Sequence, residues 1–279
     1  MSEIYLVFVV FLFVLAVFDL MVGVSNDAVN FLNSAIGAKV AKFRTIIIVA
    51  AVGVFMGATM SNGMMEVARN GVFHPAMFSL KELMFIFLAV MISDVILLDI
   101  FNNLGLPTST TVSLVFELLG GTTAFVLLKL ANDTTGLTVG DLMNTEKALG
   151  MIMAIFVSVA IAFFFGIVLQ YISRLVFTFT YKKNLKWKIG IFGGVATTAI
   201  FYFMLFKGIK SMSFVTPEIY EYIQNHTLAI LGICFLASTA IMQFLYFLKV
   251  NVFKILVLMG TIALAMAFAG NDLVNFIGV

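Results

Sequence analysis

Eight long apolar runs separated by short polar connections leave this chain of 279 residues little choice of fold class. They are Ile4 to Val24, Thr45 to Met60, Leu83 to Phe101, Thr111 to Leu130, Ala148 to Ser173, Ile189 to Phe206, Thr227 to Leu248 and Val252 to Gly270. A helix needs about 20 apolar residues to cross a bilayer core, and several runs reach that length. Composition agrees, since 62% hydrophobic and 11% charged residues lie far from the mix of a soluble domain. The expected product is an all-α integral membrane protein with about seven to eight membrane segments. The second run is short and carries Gly53 and Gly57, and the fourth follows the break Gly105-Leu106-Pro107. These two are the candidates for broken or re-entrant segments.

Charge adds orientation rather than partners. The net charge of +2 points to no nucleic-acid surface. Lys and Arg cluster in three connections: Lys39, Lys42 and Arg44; Arg174, Lys182, Lys183, Lys186 and Lys188; and Lys249 and Lys254. Counting crossings from the richest of them places all three in the cytoplasm and the N-terminus outside, the arrangement favoured by the positive-inside rule. The first run lacks a basic n-region and a small-residue cleavage pattern, so it reads as a membrane helix rather than a cleaved signal. The lone Cys234 lies in an apolar run and reads as small core filler.

Against this apolar background one polar motif occurs twice. Asn26-Asp27-Ala28-Val29-Asn30-Phe31-Leu32 returns near the other end as Asn271-Asp272-Leu273-Val274-Asn275-Phe276-Ile277. In each copy the two amides stand one helical turn apart with the carboxylate beside the first, a spacing that suits a compact oxygen-lined site. Seven crossings separate the runs that carry the copies, so the two would enter the membrane from opposite sides. That is the pattern of an inverted repeat, which secondary transporters use to build a site near the bilayer midplane. The expected division is a first transmembrane repeat with connecting helices over residues 1–250, and the start of a second inverted repeat over 251–279. On that reading the chain is the N-terminal part of a longer protein.

A second constellation is Gly105-Leu106-Pro107-Thr108-Ser109-Thr110-Thr111-Val112-Ser113, a Gly/Pro break that runs through hydroxyls into an apolar helix. Thr108 or Ser109 is the expected N-cap. A helix start offers unpaired N–H groups and partial positive charge, so with adjacent hydroxyls it can bind an anion without Lys or Arg; an ordinary capped helix start has the same residues. The third feature is a set of carboxylates within or at the ends of the apolar runs: Asp19, Asp27, Asp94, Asp99, Glu117 and Asp272. No Lys or Arg lies in the run interiors, so these groups must be protonated or hold a cation. Hard oxygen ligands favour alkali or alkaline-earth ions. Asp19 could instead line a wet vestibule. His74 and His226 fall in connections, and Ser109 has no neighbouring His, which argues against an enzyme. Polarity concentrated in two breaks, rather than in a continuous stripe, argues against a channel.

Taken together, the Asn26-Asp27-Ala28-Val29-Asn30 segment followed by Lys39, the Gly105-Leu106-Pro107-Thr108-Ser109-Thr110-Thr111 segment and the second Asn271-Asp272-Leu273-Val274-Asn275 resemble the inorganic phosphate transporter family of secondary carriers. Val112 stands where that family usually has His, so no imidazole role carries over to this half, and Ser25 replaces the usual Ala before Asn-Asp. The resemblance implies an inverted-repeat carrier in the plasma membrane that moves inorganic phosphate with sodium; a proton-coupled phosphate or sulfate permease is the alternative on the same fold. It implies phosphate on Asn26, Asn30, Ser109, Thr110, Thr111, Asn271 and Asn275. Sodium would sit on Asp27 and Asp272 with Asn26 and Asn271. Asp94, Asp99 and Glu117 would be additional cation or proton sites. No cofactor is implied beyond sodium as coupling ion; the lipid bilayer is the expected surrounding, and a homo-oligomer is compatible with it.

Overall fold

The computed structural model describes residues 2–59, 71–132, 136–178, 185, 187–208 and 216–270. Ten α-helices follow one another among the described residues. They are α1 (Ser2–Gly37), α2 (Phe43–Thr59), α3 (Leu80–Leu104), α4 (Thr110–Ala131), α5 (Val139–Leu142), α6 (Thr145–Phe177), α7 (Lys188–Gly208), α8 (Pro217–Asn225), α9 (Thr227–Phe247) and α10 (Val252–Phe268). A 3-10 turn, Pro75–Met77, precedes α3. No strand occurs among the described residues, and an isolated bridge pairs Phe73 with Met143.

Each apolar run therefore becomes one helix. Five of these helices (α1, α3, α4, α6 and α9) are long and apolar enough to cross a membrane, and three shorter apolar ones are α2, α10 and the Lys188–Met204 part of α7. The first run extends further than its apolar stretch. α1 has 36 residues, which at about 1.5 Å per residue outreaches a hydrocarbon core of roughly 30 Å and carries the helix on through Asn26, Asp27 and Asn30. The second run forms a single helix over Phe43–Thr59. The third and fourth are interrupted where Gly105, Leu106 and Pro107 predict it.

That interruption has a clear local cause. Gly105 adopts φ 65°, a left-handed conformation open to glycine at little steric cost. Its N–H bonds the carbonyl of Asn102 at 3.1 Å and the Leu106 N–H bonds that of Phe101 at 2.9 Å, the paired closure of a Schellman end. Pro107 follows, where it cannot continue the helix. α4 then starts behind Ser109, whose hydroxyl accepts the Val112 N–H at 3.4 Å. Ser109 is thus the cap that the sequence offers as one of two choices.

By its internal packing the chain divides into two compact units: Met1–Asn30, Asn62–Val157 and Phe268–Val279 form one, Phe31–Ser61 and Ser158–Ala267 the other. In the first, α3 and α4 pair across the Gly105 break. Ile86 and Val90 of α3 meet Leu114, Leu118 and Val126 of α4, and Val72, Phe73, Phe78, Leu142 and Met143 close the same apolar cluster. Ser79 and Glu82 form a capping box at the start of α3. Glu82 also pairs with Lys129 of α4 at 3.2 Å, and Lys129 lies over the Phe78 ring at 4.9 Å. A pair this exposed adds at most about 1 kcal/mol, so the apolar cluster does most of the joining.

In the second unit small residues let helices approach. The buried residues of α2 are Ile46, Ala50, Gly53 and Gly57, one helical stripe. A Cβ on Gly53 would lie 2.5 Å from the Ile262 carbonyl of α10 and 2.9 Å from Ala265 Cβ, so the glycine is what permits the crossing. Gly193 on α7 faces Met242 of α9. Phe177, Phe192 and Phe253 form an aromatic triad with centroids 4.9, 5.5 and 6.0 Å apart. The most apolar stretch of α6 buries none of its residues within the chain, as a helix facing lipid would.

Candidate functional site

The first Asn-Asp motif and the Gly105–Thr110 break meet in the first unit through side-chain hydrogen bonds that span the sequence. Asn26 is the centre. Its Oδ1 accepts the Thr108 N–H at 2.8 Å, and its Nδ2 donates to the Leu106 carbonyl at 3.2 Å and to Asn102 Oδ1 at 2.9 Å. Asn102 Nδ2 in turn donates to the Val22 carbonyl of α1 at 3.0 Å. Asn26 therefore satisfies two backbone groups that the break would otherwise leave without partners, and the half-buried Asn102 ties the end of α3 to α1. An amide suits this place because it has donors and acceptor in one side chain.

Asp27 faces the start of α4. Thr110 Oγ1 donates to Asp27 Oδ2 at 2.8 Å, and Asn30 Nδ2 donates to Asp27 Oδ1 at 3.0 Å. Asp27 and Thr110 are buried and Asn30 is exposed. Asn26, Asp27 and Asn30 share one stretch of α1 because positions three and four apart lie on the same helical face. Thr110 and Asn30 are neutral donors that orient the carboxylate, and the start of α4 adds partial positive charge beside it. Such a place can take a hard cation beside an anion held at the helix start.

The other predicted residues fall as follows. Ser109 is exposed and occupied as the cap of α4, and Thr111 is half-buried. Asp99 is exposed on α3 and accepts from Asn103 Nδ2 at 3.1 Å, apart from the Asn26 network. Asp94 is buried and accepts the Ser113 hydroxyl at 2.5 Å, and the carboxyl groups of Asp19 and Glu117 stand next to it. Asn271, Asp272 and Asn275 lie outside the described residues, as do Lys182, Lys183 and Lys186 of the basic connection. Neither histidine is a hydrogen-bond partner in the network; His226 stacks on Tyr222 with centroids 4.2 Å apart. No cluster of three His, Cys, Asp or Glu side chains shaped for a metal ion occurs among the described residues.

Asn102 is the member that sequence reasoning missed. Its signal was present: Asn102-Asn103 breaks an apolar run just before Gly105, and a polar pair there reads equally well as the first residues of a loop.

Apolar helices, several long enough to span a bilayer, and a buried polar junction built on one Asn-Asp motif and a broken helix pair fit a multi-pass membrane protein. The chain belongs to the phosphate transporter family, whose profile matches residues 23–279. A solved structure, "The sodium-dependent phosphate transporter", is similar in fold, with a TM-score of 0.67 at 19% identity. The match covers 96% of this chain and 65% of that one, so this chain spans about two thirds of that protein's length. No curated protein matches the sequence.

Proposed function

We propose that this chain is part of a secondary symporter that moves inorganic phosphate across the plasma membrane with sodium, its N-terminus outside. The observation that carries the reading is the attachment of Asp27 to the start of α4 through Thr110 Oγ1, 2.8 Å away. It sets a carboxylate, which calls for a cation, beside a helix start, which favours an anion. A dianion near a fixed carboxylate is repelled unless cations arrive with it, and at about 4 Å each like-charge pair is worth roughly 4 kcal/mol near a protein surface. Cotransport answers that repulsion by mutual neutralisation.

In this reading Asn30, Ser109 and Thr111 with the N–H groups at the start of α4 hold phosphate, Thr110 orients Asp27 with its hydroxyl, Asp27 with Asn26 Oδ1 holds sodium, and Asn271, Asp272 and Asn275 supply the corresponding groups of an inverted second repeat. Uptake of labelled phosphate into proteoliposomes, with sodium and pH gradients imposed separately and sulfate as competitor, tests it. Sodium-driven uptake that sulfate leaves unchanged is expected. Uptake driven by a pH gradient alone, or sulfate carried in place of phosphate, would replace this reading by the permease alternative.

A further inference from the structure

Asp19 on α1 is fully buried at 0% exposure, and among the described residues neither of its carboxyl oxygens meets a protein N–H or O–H donor. What it faces is the carboxyl group of Asp94 on α3, which also faces that of Glu117 on α4. Both Glu117 oxygens and Asp94 Oδ2 are likewise buried without a protein donor. Asp94 Oδ1 has one, the Ser113 hydroxyl of α4. Three carboxyl groups from three helices thus converge, and the Lys residues of these helices, Lys81 and Lys129, stand near helix ends instead.

Three carboxylates cannot all stay ionised there. Burial without a partner costs each several kcal/mol, and their mutual repulsion adds to it. Protons remove both penalties if they sit on the right groups. Asp94 is the central member, so if it is the anion, a protonated Asp19 and a protonated Glu117 can each donate to it, and all three groups gain a partner. If Asp94 held one of these protons instead, the anion would be an outer group with one donor, whereas an anionic Asp94 receives two acids and the Ser113 hydroxyl. The Ser113 hydroxyl, a donor to Asp94, favours the same assignment.

We propose that Asp19, Asp94 and Glu117 form a proton-binding site distinct from the Asp27 junction, with Asp94 as a carboxylate between two protonated acids. Glu3, Tyr5 and Asp27 on α1, Lys81, Glu82 and Asp99 on α3, and Lys129 on α4 are the other titratable groups of these helices. Asp27 is engaged by Thr110 and Asn30, Asp99 by Asn103, and Glu82 by Lys129. The two sites share one turn of α4: Thr110 Oγ1 donates to Asp27, and Ser113 Oγ lies 3.0 Å from the Thr110 carbonyl while it serves Asp94. A change of charge at Asp94 therefore acts on the helix turn that positions Asp27. The assignment stands or falls independently of which anion the protein carries.

Infrared spectra of the whole chain in lipid bilayers at neutral pH test it. The carboxylic-acid C=O region should show protonated carboxyl groups, with one component lost in Asp19→Asn and another in Glu117→Gln. Replacing potassium by sodium should leave both. Asn and Gln mimic the protonated acids in shape and charge, so thermal melting of both variants should stay close to that of the parent. Absence of protonated-carboxyl absorption in the parent chain, its persistence in both variants, or its removal by sodium would overturn the proposal. The parent spectra in the two salts decide it even if a variant does not fold.

Discussion

The side-chain carbonyl of Asn26 accepts the backbone N–H of Thr108 at 2.8 Å across 82 residues of sequence. Through this bond a helix-borne amide fixes the backbone just ahead of α4. The bond explains why an amide, and not a carboxylate, stands at the first position of the motif. Asn26 must accept from Thr108 and also donate to Leu106 and Asn102.

Asn26→Asp should accordingly destabilise the protein although it keeps the shape and the acceptor. The new carboxylate would face the Leu106 carbonyl and Asn102 Oδ1, two acceptors with nothing to offer it. The expected loss is about 1–3 kcal/mol, seen as a lower melting temperature in detergent. Unchanged melting would show that the junction does not depend on this amide.

Asp27→Asn should abolish sodium-driven phosphate uptake to background while the protein remains folded. Thr110 Oγ1 can rotate to accept from the new amide, so the structural cost should be only about 1 kcal/mol. Normal sodium-dependent uptake by a well-expressed variant would remove Asp27 from the cation site.

Thr110→Val and Ser109→Ala should part company. Thr110 spends its hydroxyl hydrogen on Asp27, so the valine leaves a buried carboxylate oxygen without that donor and should raise the sodium concentration for half-maximal uptake; Thr110→Ser should restore it. Ser109→Ala removes a long cap bond to Val112, which costs about 0.5–2 kcal/mol at the start of α4 and should raise the phosphate half-saturation instead. The same shift from both variants would contradict separate roles.

Gly53→Ala should lower the melting temperature by the equivalent of about 1–3 kcal/mol, since the added Cβ meets the Ile262 carbonyl at 2.5 Å and backbone must move. Gly260→Ala, on the facing helix but with nothing within 4 Å of the new Cβ, is the control and should be neutral or slightly stabilising. Equal effects from both would mean that the α2–α10 crossing is looser than its geometry.

Helices and their ends were legible in the sequence because their causes are local. Apolar length sets a membrane helix, and Gly105 followed by Pro107 stops one and lets another begin, whatever lies around them. The repeated Asn-Asp motif and the hydroxyl-rich break were conspicuous for the same reason: polar groups are costly in an apolar chain and so stand out. Which of these groups touch was decided by packing alone. Asn102 joins Asn26, Thr110 reaches Asp27 and Asp19 comes to face Asp94 only because α1 lies along the α3–α4 pair. Spacing along a helix determines which side chains share a face, but partners some 80 residues away depend on how whole helices settle against one another, a sum of many weak contacts that no single stretch of sequence contains.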